Sequence, residues 1–261
     1  LSVWQLHKKD PKGLAVILPA DAFIADDAAY RESLQRAFDI AEKHGRIVCL
    51  GLKPTFAATI YGYIESGDNA FPELGGKTIK RFVEKPDQKR AEEYFFSGRY
   101  SWNAGIFVFK TAVFVEEVRK HAPVFAAAFD QIIKKPKQTE ALYKTLPKES
   151  VDIALMEKTN VGAVISGDFG WNDLGSWPAL EEVKKSNSPA GLIRAPAGHE
   201  CVEASGNIAD VTSKKFLALV GVKDLIIVET ENTILVCHKS KAHEIKTLVG
   251  KVAADPKRAK K

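Results

Sequence analysis

Leu14-Ala15-Val16-Ile17-Leu18, closed by Pro19, is a continuous apolar run rich in branched residues. That pattern predicts a central strand buried on both faces, the condition that a parallel sheet imposes. The residues after it decide the fold class. Asp26 and Asp27 can cap a helix whose apolar face is Leu34, Ala37, Phe38 and Ala41, and Gly45 is placed to end it. Residues 46–52 supply the next strand. Strand, helix and strand with short joins make a βαβ unit, and so predict an α/β fold.

Working outward, residues 59–64 and 79–83 read as strands, with turn signals at Gly67-Asp68 and Gly75-Gly76. Asp87 starts a helix that Gly98 ends, with Ala91, Tyr94 and Phe95 facing inward. Residues 105–109 form an apolar strand, and helices follow over 112–121, 124–133 and 138–144. Ser150 is placed to cap a helix through Glu157, residues 161–165 return as a strand, and Ser176 caps a helix opening on Trp177-Pro178. Beyond Lys184 the character changes. Ser186-Asn187-Ser188-Pro189 is a linker signal, and short runs at 201–203, 207–211, 216–220, 225–229 and 233–237 suggest a small all-β unit or a piece of β-solenoid. A final helix is expected over 242–249. The domains expected are residues 1–186, a β-rich unit over 187–250, and a disordered basic tail over 251–261.

A chain of 261 residues can bury one good core and add a small second domain. No apolar run approaches the ~20 residues of a membrane helix, and the first eleven residues lack the pattern of a secretory signal. Cys49, Cys201 and Cys237 are far apart and odd in number, which argues against a disulfide framework and fits a reducing cytoplasm. The net charge is +5, but residues 251–261 hold five basic groups and one acidic one. The rest of the chain is nearly neutral, so no nucleic-acid or membrane partner is expected.

Five segments carry candidate chemistry, each beside a plainer structural role. Asp21 follows a strand directly, where ligands of open α/β sheets gather; it could equally serve a loop. Glu84-Lys85-Pro86 also follows a strand; the proline keeps Lys85 extended, and the pair could accept sugar hydroxyls and meet a phosphate, or be a surface ion pair. Asn103, in Trp102-Asn103-Ala104-Gly105, offers an amide that both donates and accepts, while Trp102 belongs to the core. Gly62, between Tyr61 and Tyr63, marks either a close approach or a bulge. Asp173 is the one ionisable group in Trp171-Asn172-Asp173-Leu174-Gly175-Ser176-Trp177. Two carboxylates 4 Å apart repel by ~4 kcal/mol at an effective dielectric of ~20, so Asp21 and Asp173, if they converge, call for a cation such as Mg2+.

The order of these fragments carries a resemblance. Leu18-Pro19-Ala20-Asp21, Tyr61-Gly62-Tyr63-Ile64-Glu65, Phe82-Val83-Glu84-Lys85-Pro86, Trp102-Asn103-Ala104-Gly105-Ile106-Phe107, Ser150-Val151-Asp152 with Met156-Glu157-Lys158, and the Asp173 segment closely resemble mannose-1-phosphate guanylyltransferases, the GDP-mannose pyrophosphorylases. The likeness continues through Val220-Gly221-Val222-Lys223-Asp224-Leu225 and Val228-Glu229-Thr230, which resemble that family's short C-terminal left-handed β-helix. It implies a Rossmann-like sugar-nucleotidyltransferase core with a mixed, mostly parallel sheet. It implies GTP and mannose 1-phosphate as substrates and GDP-mannose as product, in the cytoplasm, and leaves a homodimer open. By resemblance, Asp21 and Asp173 hold Mg2+, Gly62, Glu84 and Asn103 contact the mannose ring, and Lys85 meets its phosphate. Asp21, Lys85 and Asp173 are thereby the catalytic set. Asp152 is expected to serve only the start of its helix.

Two departures stand out. Ala22 occupies the place of a histidine usual after the Leu-Pro-Ala-Asp aspartate. The family's Gly-Gly-x-Gly-x-Arg loop, which binds the triphosphate, does not occur in these residues, so the resemblance is to an N-terminally shortened enzyme whose chain by itself is expected to have negligible GTP-dependent activity. A non-catalytic sugar-phosphate-binding module and a nucleotidyltransferase for another sugar 1-phosphate are the alternative readings.

Overall fold

The computed structural model describes residues 1–184, 186 and 188–254. Asn187, where the sequence places the domain boundary, and residues 255–261 of the basic tail lie outside the described residues. The chain divides into two compact units, Leu1–Ala20 with Ile24–Trp171, and Asp21–Phe23 with Asn172–Lys261.

The chain opens with α1 (Ser2–Lys9), β1 (Leu14–Ile17) and the two-residue β2 (Phe23–Ile24). In α2 (Asp27–His44) the Asp26 carboxylate accepts from the Ala28 and Ala29 N–H groups at 3.0 Å each, and Gly45 ends the helix at φ +60°. Ala37, Ile40 and Ala41 form its buried face, one turn apart as a helix of 3.6 residues per turn requires. β3 (Ile47–Leu52) is buried along its whole length, so Leu50→Ala should cost about 2–5 kcal/mol. There follow β4 (Tyr63–Ser66), β5 (Gly76–Val83), α3 (Gln88–Ser97), β6 (Tyr100–Lys110), α4 (Thr111–His121), α5 (Pro123–Lys134), α6 (Thr139–Thr145), a π-turn at Asp152–Met156, β7 (Gly162–Gly167) and β8 (Trp171–Asn172). Asp87 caps α3 by accepting from the Arg90 N–H, and Gly98 closes it at φ +65°.

The sheet of the first unit runs β1-β6-β3-β7-β5-β4, with β4 also pairing β6. β1 and β3 are both antiparallel to β6, hence parallel to one another with β6 between them. That is the expected βαβ crossover, opened by one returning strand. The parallel share is smaller than expected, because among the described residues β3–β7 is the one directly parallel pair in this sheet. The central position expected for residues 14–18 is also corrected: β1 pairs β6 alone, and Leu18, just beyond its end, is 48% exposed. Nor is the strand buried on both faces: of β1 only Ala15 is buried, Val16 and Ile17 are half-buried and Leu14 is 37% exposed. Residues 59–62 lie outside the strand expected over 59–64, which begins at Tyr63. Its hydroxyl accepts from the Ala58 N–H at 2.8 Å and ties the preceding loop down.

The second unit continues after β8 with α7 (Trp177–Lys184), whose first turn is capped by Ser176 Oγ accepting from the Ala179 N–H. β9 (Gly191–Arg194), β10 (His199–Val202), β11 (Asn207–Asp210), β12 (Leu217–Val220) and β13 (Leu225–Glu229) then wind as parallel coils. The register Ile208↔Ile226 and Cys201↔Leu219 sets an 18-residue repeat that stacks Ala209, Leu219 and Ile227 in a small core. Asn207 turns a corner, fully buried, its Oδ1 accepting from the Leu225 N–H and its Nδ2 donating to the Val222 carbonyl. Gly191, at φ +110°, passes so near that a Cβ there would fall 1.9 Å from the Asn207 carbonyl oxygen. Only glycine fits. Buried Glu229 accepts from the Thr212 and Ser213 N–H groups and from Lys215 Nζ. The Ser213 N–H foremost, with Lys215, holds its carboxyl down to about 2. β14 (Ile234–His238) returns antiparallel on β13, and α8 (Ile245–Ala253) ends the described chain.

Candidate functional site

Sheet register in the first unit brings the candidate residues of three segments together. Tyr63 pairs with Val83 at the end of β5 and with Trp102 near the start of β6. Gly62, Glu84 and Asn103 stand next to those three pairing positions. The Asn103 N–H donates to the Gly62 carbonyl at 2.8 Å. A Cβ on Gly62 would lie 2.7 Å from Glu84 Oε2 and 3.3 Å from Asn103 Cβ, so this is a close approach and not a bulge. The bulge is in β6 instead. Cys49 and Gly51 of β3 face Phe107 and Asn103, so β6 gains extra residues around Gly105, which takes φ +72°. The Gly105 N–H turns back to Asn103 Oδ1 at 3.0 Å, which fixes the end of the amide that accepts.

Lys85 departs from the extended conformation expected before a proline: its φ is +45°. For a non-glycine residue this conformation costs about 1–2 kcal/mol and persists only where neighbours hold it. Here the Glu84 N–H is held by Glu157 Oε1 at 2.9 Å, and Lys85 Nζ reaches back to Glu84 Oε1 at 2.6 Å. Burial foremost, and then the neighbouring Asp152 and Glu157 carboxylates, push the Glu84 carboxyl above its usual range, against the pull of Lys85. The Glu84 side chain is 10% exposed and that of Lys85 61% exposed, so the carboxylate is largely buried while the ammonium stays at the surface. An acceptor, an amide donor and an exposed cation together can grip vicinal hydroxyls and a phosphate.

The sequence reading missed two residues. Asp152 accepts from Asn103 Nδ2 at 3.0 Å through Oδ1, so its role is not confined to starting a helix. Glu157 holds the Glu84 N–H. Asp152 opens and Glu157 follows a π-turn where an α-helix capped by Ser150 was expected, and Ser150 supplies its carbonyl to Ala154 instead of a side-chain cap. Trp102 is core, as expected, with Tyr61 edge-on at 4.9 Å.

Asp21 and Asp173 both belong to the second unit. Asp21 is exposed. Asp173 is half-buried in a tight loop in which Asn172 Oδ1 accepts from the Leu174 N–H and Asn172 Nδ2 donates to Glu182. Leu174 takes φ +50°, and a Cβ at Gly175 would lie 2.7 Å from Asp173 Oδ2, so the loop folds this carboxylate back over a glycine. Among the described residues no group of three or more His, Cys, Asp or Glu side chains could hold a metal by itself. No helix among them is long and apolar enough to cross a membrane.

The family models that match the chain change over later than the two compact units do. Residues 1–188 match a family model described as nucleotidyl transferase, and residues 199–252 match the MannoseP isomerase/GMP-like beta-helix domain. The xanthan biosynthesis protein XanB of Xanthomonas campestris pv. campestris (strain B100) is 34% identical over 246 residues, which are 92% of this chain and 51% of that protein. The mannose-1-phosphate guanylyltransferase of Escherichia coli (strain K12) is 31% identical over 258 residues, 95% of this chain and 53% of that one. The chain spans about half the length of the curated relatives it matches. Among solved structures, one described as mannose-1-phosphate geranyltransferase from Thermus thermophilus superposes with a TM-score of 0.83 at 33% identity, covering 97% of this chain and 73% of that one.

Proposed function

This chain belongs to the nucleotidyl transferase family, and on that premise we propose that it binds mannose 1-phosphate for guanylyl transfer from GTP, yielding GDP-mannose and pyrophosphate. The observation that carries the reading is the convergence of Gly62, Glu84 and Asn103 beside an exposed Lys85. Glu84 accepts from ring hydroxyls, Asn103 donates to them through Nδ2, and Gly62, having no side chain, lets those two groups close up beside one another. Lys85 exchanges its partner Glu84 for the sugar phosphate, which carries the larger charge. The phosphate oxygen then attacks the α-phosphorus of GTP in line. Holding that oxygen still and neutralising its charge is most of what a protein contributes to phosphoryl transfer.

Asp21 and Asp173 offer hard carboxylate oxygens without histidine or cysteine, a donor chemistry suited to Mg2+ with its remaining positions left to water and phosphate. Bound by these two residues, Mg2+ would neutralise phosphate oxygens as charge builds on them. Titration calorimetry tests the reading at its root. Mannose 1-phosphate should bind the full chain and bind Lys85→Ala at least tenfold more weakly; equal affinity in both, or binding in neither, would refute it.

A further inference from the structure

Behind this pocket lies one turn of helix of unusual pitch. The Glu157 N–H donates to the Asp152 carbonyl at 2.9 Å, a bond from residue i+5 to residue i. In an α-helix five residues advance about 500°, which would turn side chains 152 and 157 roughly 140° apart. The wider π-turn brings them back toward one side. Both carboxylates then meet the pocket: Asp152 Oδ1 accepts from Asn103 Nδ2, and Glu157 Oε1 accepts from the Glu84 N–H.

Charge alone works against this arrangement. Asp152 and Glu157 both raise the cost of ionising Glu84, and a third carboxylate beside two others is unfavourable by itself. What the pair does provide is orientation. Gly105 occupies Asn103 Oδ1, and Asp152 takes one hydrogen of Asn103 Nδ2, so one N–H of known direction is left for a ligand oxygen. Glu157 fastens the backbone immediately before Lys85, the residue held at φ +45°.

Resting on the pocket reading above, we propose that Asp152 and Glu157 are positioning residues of the sugar-phosphate site, Asp152 acting through the Asn103 amide and Glu157 through the Glu84-Lys85 turn. The test is a double-mutant cycle on the full chain with mannose 1-phosphate as titrant. Asp152→Ala and Asn103→Ala should each weaken binding about tenfold, and the double variant should be no weaker than Asn103→Ala alone. Asp152→Asn, which keeps an acceptor oxygen in place, should recover most of the loss. Additive losses, unchanged binding in Asp152→Ala, or no recovery with asparagine would overturn the assignment. For Glu157→Gln, in which a carboxamide oxygen can still accept, binding should stay within about threefold of wild type, and Glu157→Ala should lose about tenfold; equal losses in the two would overturn its role. A second readout is independent of the ligand. The Asn103 side-chain amide resonances of the free chain should shift in Asp152→Ala, and unmoved resonances would remove the clamp. If wild type fails to bind mannose 1-phosphate, the functional reading falls by itself, and the amide shift still decides whether Asp152 orients Asn103.

Discussion

Gly62→Ala isolates the pocket from the fold. Gly62 does not take a positive φ, so alanine meets no backbone penalty there. The added methyl would sit 2.7 Å from Glu84 Oε2, and relief to ordinary contact moves that oxygen by about 0.7 Å. The second neighbour, Asn103 Cβ at 3.3 Å, needs to give only slightly. The Glu84 carboxylate is the end of a flexible side chain, so the native state accommodates the change and the melting temperature should fall by no more than about 3 °C, equivalent to less than ~1 kcal/mol. A displacement of that size takes a hydrogen bond to a charged group out of range. Such a bond contributes about 1.5–3 kcal/mol, so mannose 1-phosphate should bind roughly 10- to 100-fold more weakly. Calorimetric titration and thermal melting of the same sample measure both quantities. Wild-type affinity in a folded Gly62→Ala chain would refute the argument, as would a large fall in melting temperature, which would mean that the glycine serves packing.

Lys85→Met should weaken mannose 1-phosphate binding tenfold or more and also remove most of its salt dependence, since the lost contact is an exposed ion pair; titrations in ~0.05 and ~0.5 M salt check this. Asp21→Asn and Asp173→Asn should each weaken Mg2+ binding about tenfold, with mannose 1-phosphate affinity little changed; a calorimetric magnesium titration decides, and unchanged Mg2+ affinity in both would remove the assignment. Glu229→Gln should lower the stability of the second unit near pH 7. Because the folded carboxyl is held down to about 2 from an ordinary 4.5, its stabilisation is present above 4.5 and fades as pH falls toward 2. The gap in denaturant midpoint between variant and wild type should close over that window.

What was legible in the sequence was whatever is signalled locally. Asp26 and Asp87 before apolar helices, and Gly45 and Gly98 after them, fixed helix ends because capping is a matter of a few adjacent atoms. Residues 46–52 read as a strand from their own apolar composition, and the structure forms it over Ile47–Leu52. Edge position was not legible: Leu14–Ile17 carries the composition of a buried strand, yet it pairs β6 alone. Nor was β9, a four-residue strand whose pairing with β11 depends on a corner at Asn207, sixteen positions after Gly191. The tripeptide Tyr61-Gly62-Tyr63 looked like strand throughout, since alternation cannot say where a ladder begins.

The site followed the same division. Gly62, Glu84, Lys85 and Asn103 lie within two residues of the end or the bulge of a strand, which is why strand reading and motif order single out these four candidates. Asp152 and Glu157 escaped because their part depends on helical pitch. At α-helical pitch they diverge, and nothing in Asp152-Ile153-Ala154-Leu155-Met156-Glu157 marks a π-turn. What gives the pitch its use is three-dimensional: Ala154, Leu155 and Met156 are buried in the core, and that anchorage leaves the flanking carboxylates directed at Asn103 and at the Glu84 N–H. A five-residue interval between two acids is therefore uninformative as a sequence pattern until the winding is known, so the motifs that contain Asp152 and Glu157 disclosed their place in the order but not their contacts with Asn103 and the Glu84 N–H.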